Sequence, residues 1–285
     1  AGSEMSESSI ITDESKKLHI KNLNSEFELE YLEEEKFPFA KEVKGEKFSF
    51  DRDILCNMIK KSSSCVSRES TKNALRGLYI EINKNGISLV GSNGYRIAIT
   101  KENIINEQEK DILVPVENIL NIEKILREEK ETVELIIGEK DIKFELKEGE
   151  IYLKLLEGTY IDYKKPFLEE MKTEVIINKN DLINAVERMY LLSPEKKNNK
   201  IILRLINNLL KIETSSDIGY AKEEIIVDKM GEDNEFAINC KFLLDAIKNI
   251  DGEELKLKIG KNERFILIEE VENDRSQFLI MNLKK

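Results

Sequence analysis

FSFDRDILCNMIKK (48–61) and VIINKNDLINAVER (175–188) are two copies of one pattern, aligning Leu55 with Leu182 and Ile59 with Val186 at an offset of 127. Two further pairs follow in the same order and at similar offsets. VPVENILNIEKIL (114–126) is echoed by INCKFLLDAIKNI (238–250), and VELIIGEKDIKFEL (133–146) by LKLKIGKNERFILI (255–268). Three matches in register indicate a duplicated domain. Each copy reads as strand, helix, several strands, helix, several strands. The first helix carries Ile54, Leu55, Met58 and Ile59 on one stripe, the second Ile119, Leu120, Ile122 and Leu126, both at helical spacing. GLYIEI (77–82), GISLVGS (86–92) and DIKFEL (141–146) alternate as half-buried strands, with a turn at Asn83-Lys84-Asn85-Gly86. Antiparallel sheets with two helices per copy predict an α+β fold. The boundary between copies is expected near Pro166–Thr173, giving domains at 46–170 and 171–285.

Outward from the repeat, residues 1–45 read differently. Ala1–Ser15 has no apolar period and reads as a flexible lead. LHI, KNLNS and EFELEYL then read as a hairpin in which Phe27, Leu29 and Tyr31 alternate with glutamates. A lone hairpin is marginal in water and must lean on another element.

Composition excludes several classes. The 285 residues hold no apolar run near the roughly 18 needed for a membrane span, so a soluble, cytoplasmic protein is expected. Cys56, Cys65 and Cys240 form no C-x-x-C pair, and His19 is the single histidine. Neither a zinc site nor a Ser-His-Asp constellation can be built from them, and no metal or cofactor is expected. The glutamates at 33–35 and 128–131 lack the apolar surroundings that would raise a carboxyl pKa and read as solvated faces. Gly91 and Gly94 in GSNGYR match no phosphate-loop spacing. An enzyme is therefore not expected.

A net charge of −11 argues against nucleic-acid binding by the whole surface but not against a basic strip on an acidic body. Such a strip is offered by the four helices, whose polar faces carry Lys60 and Lys61, Lys124 and Arg127, Arg188, and Lys241 and Lys248, with acids mostly elsewhere. A solvated face is the ordinary reading of such residues. Their recurrence on corresponding helices raises the alternative of a shared surface that tracks a phosphate backbone.

ALRGLYIEI (74–82) with GISLVGSNGYRIAI (86–99), LLEGTYIDYKKPF (155–167) and the ending FLIMNLKK (278–285) together resemble the bacterial DNA polymerase III beta subunit, or sliding clamp. The likeness spans residues 16–285, and the hairpin resembles the end of that family's first domain, whose earlier part has no counterpart in these 285 residues. The resemblance implies a DNA-clamp fold without enzymatic activity and a pocket that receives short apolar motifs of partner proteins. Its residues would be Leu75, Ser92, Gly94, Tyr95, Arg96 and Ile97; Ile161, Lys165 and Pro166 of the linker; Asn239 and Phe242; and the tail Leu279, Ile280, Met281, Asn282 and Leu283. Strand apolars such as Leu75, Ile97 and Leu279 are equally at home in a core. Ile161 and Asn282 stand where the family has proline, Tyr95 where histidine is common, and Lys165 where arginine is usual, which a lysine does not replace at a bidentate site.

The resemblance further implies duplex DNA, bound without sequence preference, and the polymerase III alpha subunit, clamp loader and repair proteins as partners. Copies would join through Phe27 and Leu29 against Leu191 and Leu192. Without the rest of its sheet that strand is expected to pair weakly, leaving a monomer or loose self-association. A truncated clamp that docks motifs without closing a ring is the rival from the same fold.

Overall fold

The computed structural model describes residues 9–12, 17–22, 24–30, 42–129 and 131–283. It divides into two compact units, Ala1–Glu42 and Val43–Lys285.

In the first unit, β1 (Ser9–Thr12), β2 (Lys17–Asn22) and β3 (Ser25–Glu30) form an antiparallel sheet in that order. The register sets Ile10 beside Ile20 and Ile20 beside Phe27, with Leu18 beside Leu29. One face therefore carries Ile10, Leu18, Ile20, Phe27 and Leu29, with Ile11 on the other, because strand side chains alternate. The expected hairpin is corrected to three strands: part of the supposed lead, Ser9-Ile10-Ile11-Thr12, is a strand. Its four residues are β-branched-rich but too short for alternation to register. Tyr31, Glu33–Glu35 and the lead before Ser9 lie outside the described residues.

The second unit contains both copies. The first runs β4 (Glu46–Asp51), α1 (Arg52–Ser63), a single turn α2 (Asn73–Arg76), β5 (Gly77–Asn83), β6 (Gly86–Ser92), β7 (Arg96–Glu102), β8 (Lys110–Pro115), α3 (Val116–Leu126), β9 (Thr132–Ile137), β10 (Asp141–Glu145) and β11 (Glu150–Lys154). The second runs β12 (Met171–Asn178), α4 (Lys179–Leu192), β13 (Lys200–Ile206), β14 (Leu209–Ser216), β15 (Gly219–Ile226), β16 (Asp228–Gly231), β17 (Asn234–Asn239), α5 (Cys240–Lys248), β18 (Glu254–Gly260), β19 (Phe265–Glu270) and β20 (Ser276–Met281). The fold is α+β with antiparallel sheets.

Polar side chains start α1, α4 and α5 where the strands before them stop. Asp51 accepts from the Ile54 N–H at 3.0 Å, Asn178 from Asp181 at 3.1 Å and Asn239 from Phe242 at 3.0 Å. The stripe of α1 is shifted from that expected: Cys56 is buried with Leu55, Met58 and Ile59, whereas Ile54 is exposed.

Two four-stranded sheets, β11-β10-β9-β4 and β15-β14-β13-β17, flank a nine-stranded one, β16-β12-β18-β19-β20-β7-β6-β5-β8. The large sheet is two four-stranded halves, one from each copy, joined where β20 pairs with β7, with β16 added at an edge. Phe278 lies opposite Ala98, Leu279 opposite Ile97 and Ile280 opposite Arg96. Each copy has its own core between its sheets and helices, yet Cys65 and Ala98 of the first copy sit in the core of the second. A third cluster, including Ile97, Ile99, Tyr163, Leu267 and Leu279, draws on both. The joint is thus a continuous ladder with apolar side chains on both faces.

Candidate partner-binding and DNA-facing sites

The β6–β7 turn is built to hold one shape. Gly94 has φ +88°, a region costly for residues with a Cβ. Asn93 Oδ1 accepts from the N–H groups of Tyr95 and Arg96, both at 3.0 Å. Buried Ser92 donates its hydroxyl to the Arg96 carbonyl at 2.9 Å and accepts from the Gly94 N–H at 3.1 Å. The turn presents Tyr95 to solvent, 64% exposed. The Met281 N–H donates to the Tyr95 carbonyl at 2.9 Å, so the tail lies alongside the turn. Leu75 is the side chain nearest Gly94.

Arg96 reaches across the joint. Its Nη1 meets Asp245 Oδ2 at 2.7 Å, its Nη2 donates to the Ser64 carbonyl at 2.8 Å, and its guanidinium stacks 4.3 Å from the Phe242 ring centroid. Asp245 and Ser64 were invisible as site residues in the sequence, because nothing in their local pattern shows that Arg96 points to them.

The linker is held by aromatic side chains. Tyr160 stacks on Tyr79 at 4.5 Å and donates to the Val90 carbonyl at 3.1 Å. Tyr163 donates to Glu81, which also receives Lys164 at 2.6 Å. Burial pushes the Glu81 carboxyl up, but the hydrogen bonds from Lys164 and Tyr163 outweigh it and hold the group below its ordinary value. Burial, then the Glu81 contact, raises the Tyr163 phenol.

The residues proposed for the pocket divide by exposure. Leu75, Gly94, Tyr95, Ile161, Lys165, Pro166, Phe242, Met281, Asn282 and Leu283 are exposed or half-buried. Ser92, Arg96, Ile97, Asn239, Leu279 and Ile280 are buried. In this structure the six form the framework of the groove: Ser92 braces the turn, Asn239 caps α5, Arg96 ties the joint, and Ile97, Leu279 and Ile280 belong to its cores.

The helical cations divide as well. Lys60, Lys124 and Lys241 are exposed and have no ion-pair partner among the described residues. Lys61 is 5% exposed and corrects the expectation of a DNA-facing group: its Nζ lies 2.6 Å from Asp251, 3.0 Å from Ser276 Oγ and 3.7 Å from Glu270. Lys61 follows Lys60 by about 100° around the helix, which carries it to the side of α1 that packs against Asp251 and Ser276 of the second copy. Arg127 pairs with Glu123 and Arg188 with Glu223, both with contacts at 2.6 Å, and Lys248 lies 2.6 Å from Glu187. Nor are acids absent from the helices' open faces, which expose Asp53, Glu117, Asp181 and Glu187 among the asparagines Asn57, Asn118, Asn121 and Asn184. The strip is polar and only modestly basic.

Beside the β15 edge, Leu191 is 78% and Tyr220 60% exposed, with Leu192 half-buried. Phe27 and Leu29 are likewise exposed on β3. No helix among the described residues is long and apolar enough to cross a membrane. No group of three or more His, Cys, Asp or Glu side chains among them is placed to hold a metal.

Comparison with known proteins agrees with this architecture. A "Beta sliding clamp" from Staphylococcus epidermidis is 28% identical over 262 residues, covering 90% of this chain and 70% of the relative. The crystal structure of the DNA polymerase III subunit beta from Pseudomonas aeruginosa superposes with a TM-score of 0.89 at 27% identity, over 97% of this chain and 77% of that one. A structure of the Pseudomonas aeruginosa sliding clamp bound to griselimycin gives a TM-score of 0.87 at 27% identity, over 97% and 75%. Residues 49–162 match the central domain of the DNA polymerase III beta subunit and residues 165–284 its C-terminal domain. With both copies of the repeat matched in order, this chain belongs to the DNA polymerase III beta subunit family.

Proposed function

We propose that the chain works as a sliding clamp, a processivity factor that holds duplex DNA without sequence preference. It would tether the polymerase III alpha subunit, clamp loader and repair proteins through a groove where clamp domains 46–170 and 171–285 meet. Tethering acts by raising effective concentration and needs no chemical step. A bacterial cytoplasm is the setting this function requires.

The observation that carries the reading is the Tyr95–Met281 ladder contact, with Phe242 held under Arg96. It sets exposed apolar side chains of both copies beside one rigid turn. The ligand that fits is an extended segment with spaced leucines and a phenylalanine. A labelled peptide of that kind should bind the chain, and the double substitution Met281→Ala with Leu283→Ala should weaken binding by roughly tenfold or more. Neither side chain is in the buried core, so the thermal midpoint should hardly move. Unchanged affinity would place the binding site elsewhere.

Copies of the chain would meet through Phe27 and Leu29 of β3 against Leu191 and Leu192 beside β15. Only four apolar side chains would drive this contact, so the association should be loose at micromolar concentration. Sedimentation should show it abolished by Phe27→Asp; a stable dimer indifferent to that change refutes this use of β3.

A further inference from the structure

We propose that Asn282 is the positioning residue of the groove's rim, so that partner segments meet a tail already ordered before they arrive. The inference rests on the groove reading above and deepens it.

The tail leaves β20 at Met281 and is held on both sides, by backbone N–H groups and by the Asn282 side chain. The Asn282 backbone N–H donates to the Arg264 carbonyl at 2.8 Å, and its side-chain Nδ2 donates to the Glu263 carbonyl at 2.9 Å. On the other side, Oδ1 accepts the Ala237 N–H at 3.0 Å, and the next residue, Leu283, returns its N–H to the Ala237 carbonyl at 2.6 Å. Ala237 belongs to β17, the last strand of its four-stranded sheet, so its outward N–H and carbonyl would otherwise be unpaired there. The Asn282 amide takes the place of a strand backbone: its oxygen satisfies β17 in one sheet while its nitrogen satisfies the turn before β19 in another.

That turn is itself unusual. Glu263 has φ +52°, rare for a residue with a side chain, and its carboxylate is held by Lys172 at 2.7 Å. Asn282 thus ties the tail to a fixed point.

In an extended segment, residues i and i+2 share a face opposite to i+1. Anchoring Asn282 inward turns Met281 and Leu283 to the same outer side, beside Tyr95. Rotation of the tail would scatter these side chains, and apparent affinity falls by the fraction of molecules with the rim in place. A proline at this position could make neither of the side-chain bonds nor the N–H bond.

The test measures affinity of the labelled leucine- and phenylalanine-containing peptide together with amide hydrogen exchange. Asn282→Ala should weaken binding about fivefold to tenfold and speed exchange of the Leu283 amide in the free protein, while amides in the middle of β19 keep their protection. Asn282→Asp retains the acceptor for Ala237 but loses the donor to Glu263, and should fall between the two. The inference is overturned if Asn282→Ala leaves affinity or Leu283 exchange unchanged, or if β19 loses protection to the same extent, which would mark a purely structural role. Failure of the groove reading shows up separately, as indifference of the peptide to Met281→Ala with Leu283→Ala.

Discussion

β20 and β7 meet inside the body, whereas their counterparts in the other halves of the repeat, β11 and β15, end their sheets as edges among the described residues. The equivalence follows from strand order: β12-β18-β19-β20 repeats β4-β9-β10-β11, and β8-β5-β6-β7 repeats β17-β13-β14-β15. Counting along the ladders puts Phe278 in the place of Ile151, Ile280 in that of Leu153, Ala98 in that of Ala221 and Ile97 in that of Tyr220. Phe278, Ile280 and Ala98 are no more than 1% exposed, while Ile151, Leu153 and Ala221 are half-buried and Tyr220 is 60% exposed. The same positions are core or surface according to pairing, not residue type. An apolar residue on β11 or β15 occupies a core-type position that lacks its second strand.

The largest effect should come from breaking the paired member of this comparison. Phe278→Ala empties a fully enclosed site and should cost about 3–5 kcal/mol, whereas Ile151→Ala removes a half-solvated side chain and should cost about 1 kcal/mol. Urea midpoints compare the two; equal losses would mean that the joint contributes no more than an edge. Cys65, whose thiol is pushed up to about 11 by burial, offers a second readout. It should resist thiol reagents at neutral pH in the parent protein and react faster in Phe278→Ala.

Much of this architecture was legible. Leu55, Ile59, Leu182 and Val186 repeat because each helix must bury the same stripe against the same sheets, and a 3.6-residue period survives in sequence. The joint was not legible as such. The apolar ending at 278–283 is visible in the sequence, but nothing local says that Ser276–Met281 pairs with Arg96–Glu102, and only that pairing buries Arg96, Ile97 and Leu279. Sequence order likewise put Lys60 and Lys61 on one polar face. Only the packing of α1 against the second copy separates them, since Asp251 and Ser276 lie about 200 positions away. β1 escaped because four residues carry too little periodicity.

The two neighbouring lysines give a smaller test. Lys61→Ala should cost about 2 kcal/mol, less than a fully buried pair, because Asp251 can be resolvated while Glu270, 14% exposed, is left poorly compensated. Lys60→Ala should stay within about 0.5 kcal/mol. On duplex DNA the order reverses. Lys60, Lys124 and Lys241 changed together to Glu should abolish measurable binding and flatten its dependence on salt, with no change in sequence preference because the contacts are to phosphate. If Lys61→Ala lowered DNA affinity as much while the fold held, the assignment of the two lysines would be reversed.

The smallest effect belongs to the ions spread across the β11-β10-β9-β4 sheet. Lys143 lies 2.9 Å from Glu145 and 2.7 Å from Glu150, and Lys47 lies 3.3 Å from Glu145 and 2.8 Å from Glu134. The Lys143 hydrogen bond first, then that of Lys47, lowers the Glu145 carboxyl to about 2 against weak opposition from burial. A carboxyl depressed in the folded state stabilises it above the unfolded value of about 4.5 and loses that contribution as the pH falls toward 2. Solvent screens this cluster, so the contribution at pH 7 should be less than about 1 kcal/mol. Glu145→Gln should therefore lower the urea midpoint slightly at pH 7. The deficit should shrink between pH 5 and pH 2, and at neutral pH it should shrink again in about 0.5 M salt. The deficit of Phe278→Ala, which exchanges apolar burial for a void and moves no proton, should persist across the same range. A Glu145→Gln deficit that also ignored pH and salt would mean that this sheet is held by packing, as the joint is, and not by its charges.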